Sequence, residues 1–337
     1  MKALVTGASG FLGAHLAGTL LDVGDDVISI QHDRLPLTPA DVLGIYDEVT
    51  WCDGDIRDTA LIKRILSDYD VRIVYHCAAL PIVKMGQRSC EAILDVNTVG
   101  TIKILEAIRD LNSAVRIEEL KKNQDNDDGI GFVMLSTDKV YGPMLYNRPY
   151  LETDPLEALA PYETSKACAD LIARMYYAMD FIKNVIVFRP SNQFGPGDFL
   201  NYRIIPNVIK NCLLGKRPIL FNGMTYTREF TYCEDLMQAF LLARNNLKSM
   251  SGQAYNVGSG EQRDQNGVIN EILKHFTGVE PELREPEAYS RKEIPYQVLD
   301  SSKIRKLGWT PKFSFERGIA ETVEWWRENE DIWNSKN

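Results

Sequence analysis

Short apolar runs rich in β-branched residues alternate along the chain with longer stretches in which apolar residues recur every three or four positions. The runs are KALVTG, DDVISI, VTWCDG, RIVYHCAA, GFVMLST and NVIVFRP, and FLGAHLAGTLLDVG and TALIKRILSDY are two of the stretches between them. Near-continuous apolar runs suit strands buried on both faces, and the longer period suits amphipathic helices. The alternation therefore predicts an α/β fold, a doubly wound parallel sheet of six strands covered by helices. After Pro190 the pattern loosens and Gly and Pro punctuate it (FGPGDF, GKRP, VGSG), which predicts a smaller C-terminal α/β domain. The expected division is residues 1–189 with a return near 229–257, against 190–228 and 258–337. NSAVRIEELKKNQDNDDG, between Asn112 and Gly131, is highly charged and is expected to be a solvated insertion or plain surface loop. Phe315, Ile319, Val323 and Trp326 share one face of a helix and are expected to pack into a core.

Bulk composition narrows the partners. At 337 residues and 45% hydrophobic the chain can bury a large core, while a formal charge of -9 argues against general affinity for nucleic acid or anionic membranes. No stretch approaches the ~20 apolar residues of a membrane span, and MKALVTGASGFLG reads as a strand entering a glycine turn rather than as a signal peptide. A cytoplasmic protein is expected. Six cysteines and four histidines are scattered without metal-ligand or disulfide spacing, so reduced thiols and no metal are expected.

The first candidate chemistry is TGASGFLG, Thr6 to Gly13. Gly7, Gly10 and Gly13 lie three apart between a strand and a helix opened by Phe11 and Leu12. Such glycines let the backbone approach a pyrophosphate, and the helix start offers unpaired N–H groups; the alternative is a purely structural turn. In this strand-turn-helix context the pattern predicts a Rossmann-type dinucleotide site. The second strand ends in Gln31 instead of the acid that usually holds the adenosine ribose, followed by His32, Asp33 and Arg34. Asp33 could reach a ribose hydroxyl, or His32 and Arg34 could tolerate a 2'-phosphate, which leaves NAD and NADP both open, with NAD preferred. Asp55, followed by Ile56 after the third strand, could accept from the adenine amino group or could cap a helix.

PYETSKACADLIARMYY places Tyr162 and Lys166 four apart, on one helix face. A nearby ammonium stabilises phenolate, so Tyr162 can serve as acid and base in an alcohol-to-ketone step; the alternative is an ordinary surface pair. LSTDKVYG, carrying Thr137, Asp138 and Lys139, follows the fifth strand and could equally be a polar turn.

Together with these, GDIRD, HCAA, VNTVGTIKILEA, YETSK, RPSNQFGPGD, REFTYCED and DSSKIRKLGWTPK fall in an order that resembles the extended short-chain dehydrogenase/reductases, the sugar-nucleotide epimerase and dehydratase group. The resemblance spans nearly the whole chain. It implies a catalytic triad of Thr137, Tyr162 and Lys166, a supporting hydrogen-bond relay through Asn97, and cofactor contacts from Ala78 and Ala79. It also implies that Val83 lies beside the sugar, that Asn192, Arg203 and Arg228 meet the substrate's diphosphate and base, and that the protein is a homodimer through helices near 98–110 and 161–178. Arg228 could instead form a structural ion pair with Glu229 or Asp235.

Asp138-Lys139 after the triad threonine is similar to the pair in CDP-glucose and inverting UDP-GlcNAc 4,6-dehydratases. A 4-keto intermediate acidifies C5, and loss of water then needs a base at C5 and an acid at O6. The expected function is a nucleotide-sugar 4,6-dehydratase with tightly held NAD, in which Asp138 protonates the leaving hydroxyl and Lys139 acts as C5 base or orders water. An NDP-sugar 4-epimerase and a non-catalytic dinucleotide binder are the alternatives. The nonpolar ALPIV, Ala79 to Val83, lacks a polar residue that the dTDP-glucose enzymes carry there, which leaves the sugar open.

Overall fold

The computed structural model describes residues 1–81, 89–122, 129–143, 148–221, 226–285 and 296–334. They belong to two compact units, one of Met1–Gly142, Pro155–Arg189 and Met237–Tyr255, the other of Pro143–Asp154, Pro190–Leu236 and Asn256–Asn337.

The first unit is built on a seven-stranded sheet: β1 (Lys2–Thr6), β2 (Asp26–Gln31), β3 (Thr50–Asp53), β4 (Ile73–His76), β5 (Gly131–Leu135), β6 (Val185–Pro190) and β7 (Gln253–Val257), in the order β7-β6-β5-β4-β1-β2-β3. β1 pairs in parallel with β2 on one side and with β4 on the other, so the winding direction reverses at β1. Ligands of open α/β sheets bind beyond the strand C-termini at such a reversal. There Thr6 stands opposite His76, and His76 opposite Met134 of β5. Three helices matter for the site: α1 (Phe11–Asp22), α2 (Gly100–Lys122) and α3 (Pro161–Ala178). Ile104, Leu105 and Ile108 of α2 and Ala169 and Ala173 of α3 are buried in the core formed with Val74, Phe132, Met134 and Val187 of the sheet.

Two expectations are corrected in this unit. QAYNV forms a seventh strand that the pattern did not predict; it lies at the sheet edge, where a short strand can carry Gln and Asn. The segment expected as a loop from Asn112 instead continues α2 to Lys122, because Ala, Arg, Glu, Leu and Lys are good helix formers whatever their charge.

In the second unit Thr227–Tyr232 pairs with Asn192–Phe194 in parallel and with Gln262–Arg263 antiparallel. That pairing keeps it out of the segment returning to the sheet, which begins at Met237 and not near 229. Pro143–Asp154 also belongs to this unit: Tyr150 accepts from the Asp300 N–H and donates its own N–H to Val298. The helix Phe315–Glu328 buries Phe315, Ile319, Val323 and Trp326, as its spacing predicts, with Phe315 5.4 Å from Phe194 and 5.5 Å from Phe230, ring centre to centre.

Candidate active site

The β1–α1 turn is closed by its own glycines. Gly7 has φ +78°, and a Cβ there would lie 2.8 Å from the Ala78 nitrogen; one on Gly13 would lie 2.0 Å from the Gly7 carbonyl oxygen. Only glycine lets β1, the β4 exit and α1 approach so closely. Gly10 precedes α1 without a side-chain cap, and its N–H donates to the Gly7 carbonyl at 2.9 Å. Phe11 and Leu12 begin the helix, whose first N–H groups point outward with the positive end of the dipole.

At the end of β2, Gln31 is buried and accepts from the Tyr46 hydroxyl at 2.8 Å. Asp33 is exposed and paired with His32 at 2.6 Å. Arg34 is clamped by both oxygens of Asp41 (2.9 and 2.7 Å) and stacks 3.7 Å from the centre of the Tyr46 ring. Asp55 is not the cap of the helix Thr59–Asp68; Asp58 is, accepting from the Ala60 and Leu61 N–H groups. The Arg57 guanidinium holds Asp55 and keeps its carboxyl below the usual range, and His32 lies 3.3 Å away. Ile56 packs so near Gly100 that a Cβ there would meet its side chain at 2.8 Å.

Beyond β5 the chain makes a single tight turn, Asp138–Tyr141. Thr137 accepts from the Lys139 N–H at 3.3 Å and donates its hydroxyl proton to Asp138 Oδ1 at 3.1 Å. Asp138 is 1% exposed and Lys139 half-buried. α3 packs on this turn. Its first residue is Pro161, fixed in φ for a helix start, and Tyr162 follows half-buried. One turn on, Lys166 is buried and donates to the Leu135 carbonyl at 2.5 Å, at the very end of β5. Burial brings its ammonium down to about 8. The fold thus draws Thr137, Asp138, Tyr162 and Lys166 from two separate stretches of sequence to one edge of the sheet.

A buried polar chain runs behind that edge. Thr6 Oγ1 meets His76 Nδ1 at 2.8 Å, His76 Nε2 meets Thr101 Oγ1 at 3.0 Å, and Thr101 donates to the Asn97 carbonyl at 2.6 Å. Asn97 Nδ2 donates to Ser165 Oγ at 2.9 Å and to the Leu80 carbonyl at 3.3 Å, while its Oδ1 accepts from the Leu80 N–H at 2.7 Å. Ser165 in turn donates to the Tyr162 carbonyl at 2.7 Å. Asn97 sits in a widened π-helical turn, Asp95–Val99, a form that recurs at functional sites. Ala78 donates its N–H to Thr6 Oγ1 at 3.2 Å, and Ala79 is half-exposed beyond it. Nothing in the local pattern of HCAA assigns its histidine a hydrogen-bonding role; an ionisable residue closing an otherwise apolar strand is the available signal. Nor does any local pattern mark the buried Arg189–Asp170 pair at 2.8 Å, in which Arg189 also donates to the Tyr141 hydroxyl at 2.9 Å.

In the second unit, Arg203 pairs with the buried Asp198 at 2.7 Å and donates to the Gln193 carbonyl. Asn192 donates to the Glu229 carbonyl at 3.2 Å, and Arg228 donates to the Thr227 carbonyl at 3.0 Å. Nearby, Glu229 accepts from the Gly260 and Leu299 N–H groups, and Asp235 from those of Lys312 and Phe313. Val83 lies outside the described residues.

Residues 4–322 match the model of the family described as GDP-mannose 4,6 dehydratase. The chain belongs to this family. A dTDP-glucose 4,6-dehydratase of Xanthomonas campestris is 30% identical over 345 residues, covering 97% of this chain and 93% of its own. Among solved structures, dTDP-glucose 4,6-dehydratase from Bacillus anthracis in complex with NAD superposes with TM-score 0.83 at 26% identity, covering 100% of both chains. A UDP-glucose 4-epimerase from Thermotoga maritima with UDP-glucose gives TM-score 0.80 at 26% identity, over 98% of this chain and 100% of that one. The dehydratase family's seven-stranded parallel sheet is the one described above, and among the described residues no helix is long and apolar enough to cross a membrane.

Proposed function

We propose that the protein is a nucleotide-sugar 4,6-dehydratase, converting an NDP-hexose to its 4-keto-6-deoxy product. The observation that carries the reading is the buried Asp138 carboxyl bonded to the Thr137 hydroxyl at the edge of β5, beside the α3 helix of Tyr162 and Lys166. Elimination needs a carboxylic acid at that place, whereas a hydride cycle without water loss does not.

The glycine turn fits a dinucleotide, since Gly7 and Gly13 let the backbone close tightly onto the start of α1, which has no side-chain cap and so leaves N–H groups for a pyrophosphate. Asp33 is assigned to the ribose, Asp55 and Ile56 to the adenine, and Ala78, Ala79 and the loop held by Asn97 to the rest of the cofactor. Arg34 is committed to Asp41 and Tyr46, which supports NAD over NADP. Bound NAD supplies the acceptor for the C4 hydride and the donor that returns it to C6. Thr137 orients the C4 hydroxyl, and Tyr162 takes the O4 proton with Lys166 holding the phenolate. Asp138 gives a proton to the departing O6 hydroxyl; Lys139, or a water that it orders, takes the C5 proton and returns it to C5 as the hydride reaches C6, and the proton that Tyr162 took from O4 replaces the one lost by Asp138. In the second unit, read as the substrate-binding domain, Asn192, Arg203 and Arg228 are assigned to the nucleoside diphosphate, and Val83 to the sugar.

The protein is placed in the cytoplasm, in keeping with six unbridged cysteines. It is read as a homodimer through α2 and α3, on which Val99 before α2 and Leu171 and Met175 of α3 are exposed.

Incubation with CDP-, UDP-, GDP- and dTDP-glucose, followed by mass measurement of the product, tests the reading. Loss of one water supports it; a product of unchanged mass makes the protein an epimerase, and bound cofactor with no product makes it a binder.

A further inference from the structure

Every hydroxyl in the chain of bonds behind the sheet edge has one proton, and that count fixes the direction of each bond. Thr101 spends its proton on the Asn97 carbonyl, so at the 3.0 Å contact it can only accept, and His76 Nε2 must carry the hydrogen. Burial and the charge of Lys166 hold the His76 ring neutral, with a pKa of about 3. Nδ1 is therefore bare, and Thr6 gives it a proton while accepting the Ala78 N–H. Asn97 places its two amide protons on Ser165 and Leu80, and Ser165 places its own on the Tyr162 carbonyl. All the side chains from Thr6 to Ser165 are at most 1% exposed. The path joins the last residue of β1, just before the glycine turn, to the first turn of the helix that carries Tyr162.

We infer that His76 is a positioning residue whose single tautomer ties the phosphate-binding turn to the acid/base tyrosine, so that the grip on the cofactor and the placing of Tyr162 are set together. A hydrophobic residue of the same size would fill the space. It would leave Thr6 without its acceptor and Thr101 without its donor, breaking the path at both ends in a site where no water competes. The inference rests on Tyr162 being the acid/base, and it makes one statement that does not: the ring is Nε2–H and neutral.

The test has two parts. With ring-15N histidine, the two nitrogens of His76, assigned by their loss in His76→Leu, should show a protonated Nε2 and a bare Nδ1 unchanged from about pH 5 to about pH 9. The reversed tautomer, or titration in that range, overturns the inference even if no substrate is turned over. In the active enzyme, His76→Leu and Thr101→Val should each lower kcat about 30-fold with substrate KM within about twofold, and His76→Leu should weaken NAD binding. The double variant should be no slower than about the worse single variant, because either change cuts the same path. His76→Gln, whose amide can still donate toward Thr101, should keep more of the rate. Multiplying losses, or a fall in thermal midpoint with kcat unchanged, would show packing alone; an inactive parent protein would instead count against the dehydratase reading.

Discussion

The polar chain behind the sheet edge of the first unit and the Arg203 pair of the second are held by opposite means. Behind the sheet edge of the first, the bonds run between neutral partners: hydroxyl to imidazole, amide to hydroxyl, hydroxyl to carbonyl, all buried. In the second, the polar groups named for substrate include a cation held by an acid, Arg203 on Asp198. A satisfied neutral network carries no charge-desolvation cost, so it can stay fixed whether or not ligand is bound. A guanidinium needs an anionic partner when buried, and a carboxylate supplies one until a phosphate competes for it. The first arrangement suits proton and hydride geometry; the second suits capture and release.

The largest break in that comparison is expected from Tyr162→Phe. It removes the hydroxyl proposed as proton acceptor but leaves the backbone carbonyl that Ser165 uses, so the network survives. We expect kcat to fall about 10³-fold, within the range for a lost acid/base, with cofactor content unchanged. A loss of bound cofactor would place Tyr162 in the framework instead. Next in size is Asp138→Asn, which keeps the shape and can still accept from Thr137. C4 oxidation, followed as transient reduced-cofactor absorbance, should persist while water loss slows about 10²-fold. Equal loss of both steps would contradict the acid role.

These side chains were legible in the sequence because each sits in a local pattern. Tyr162 and Lys166 are one helical turn apart, and Thr137 to Lys139 directly follow an apolar strand. His76, Thr101 and Ser165 were not legible as a unit, since 25 residues separate the first two and 64 the last two, and each alone reads as an ordinary polar residue. Only parallel pairing, which sets His76 opposite Thr6, together with the widened turn at Asn97, brings them into line. The sheet and its glycine turn were readable from period and spacing. The seventh strand was not, because an edge strand need not be uniformly apolar, and neither was the length of α2, where charge masked good helix formers. Arg189 and Asp170 show the same limit: a buried ion pair across 19 residues leaves no periodic trace.

Beside the neutral chain of the first unit, which also buries the Arg189–Asp170 ion pair, lies a cation of another kind, Lys166. Burial lowers it from an ordinary 10.5 to about 8. Between those values the unfolded chain binds the proton more tightly than the folded one, so stability rises with pH across that window, and the full cost is present below it. Lys166→Met should abolish turnover and yet stabilise the cofactor-free protein at neutral pH by on the order of 2 kcal/mol, after allowing for the lost bond to Leu135. The advantage should fade as pH approaches 10.5, and denaturant melts at two pH values measure it. A destabilised variant at neutral pH would mean that the bond to Leu135 outweighs the buried charge.

The smallest effect bears on whether the acid of the second unit stands in for phosphate. Burial raises the Asp198 carboxyl above its usual value, which reflects the cost of keeping its charge inside the protein. If the diphosphate competes with Asp198 for Arg203, Arg203→Ala should raise KM about 10-fold with kcat within about twofold, as loss of uniform binding does. Asp198→Asn separates competition from support. Asn fills the same space without the charge, so a competing carboxylate predicts KM lower by about threefold, with a steeper dependence on salt as the guanidinium turns to the ligand. A carboxylate that serves to hold Arg203 in place predicts the reverse, a KM as high as in Arg203→Ala, and in that case the ion pair is part of a fixed framework as rigid as the neutral one in the first unit.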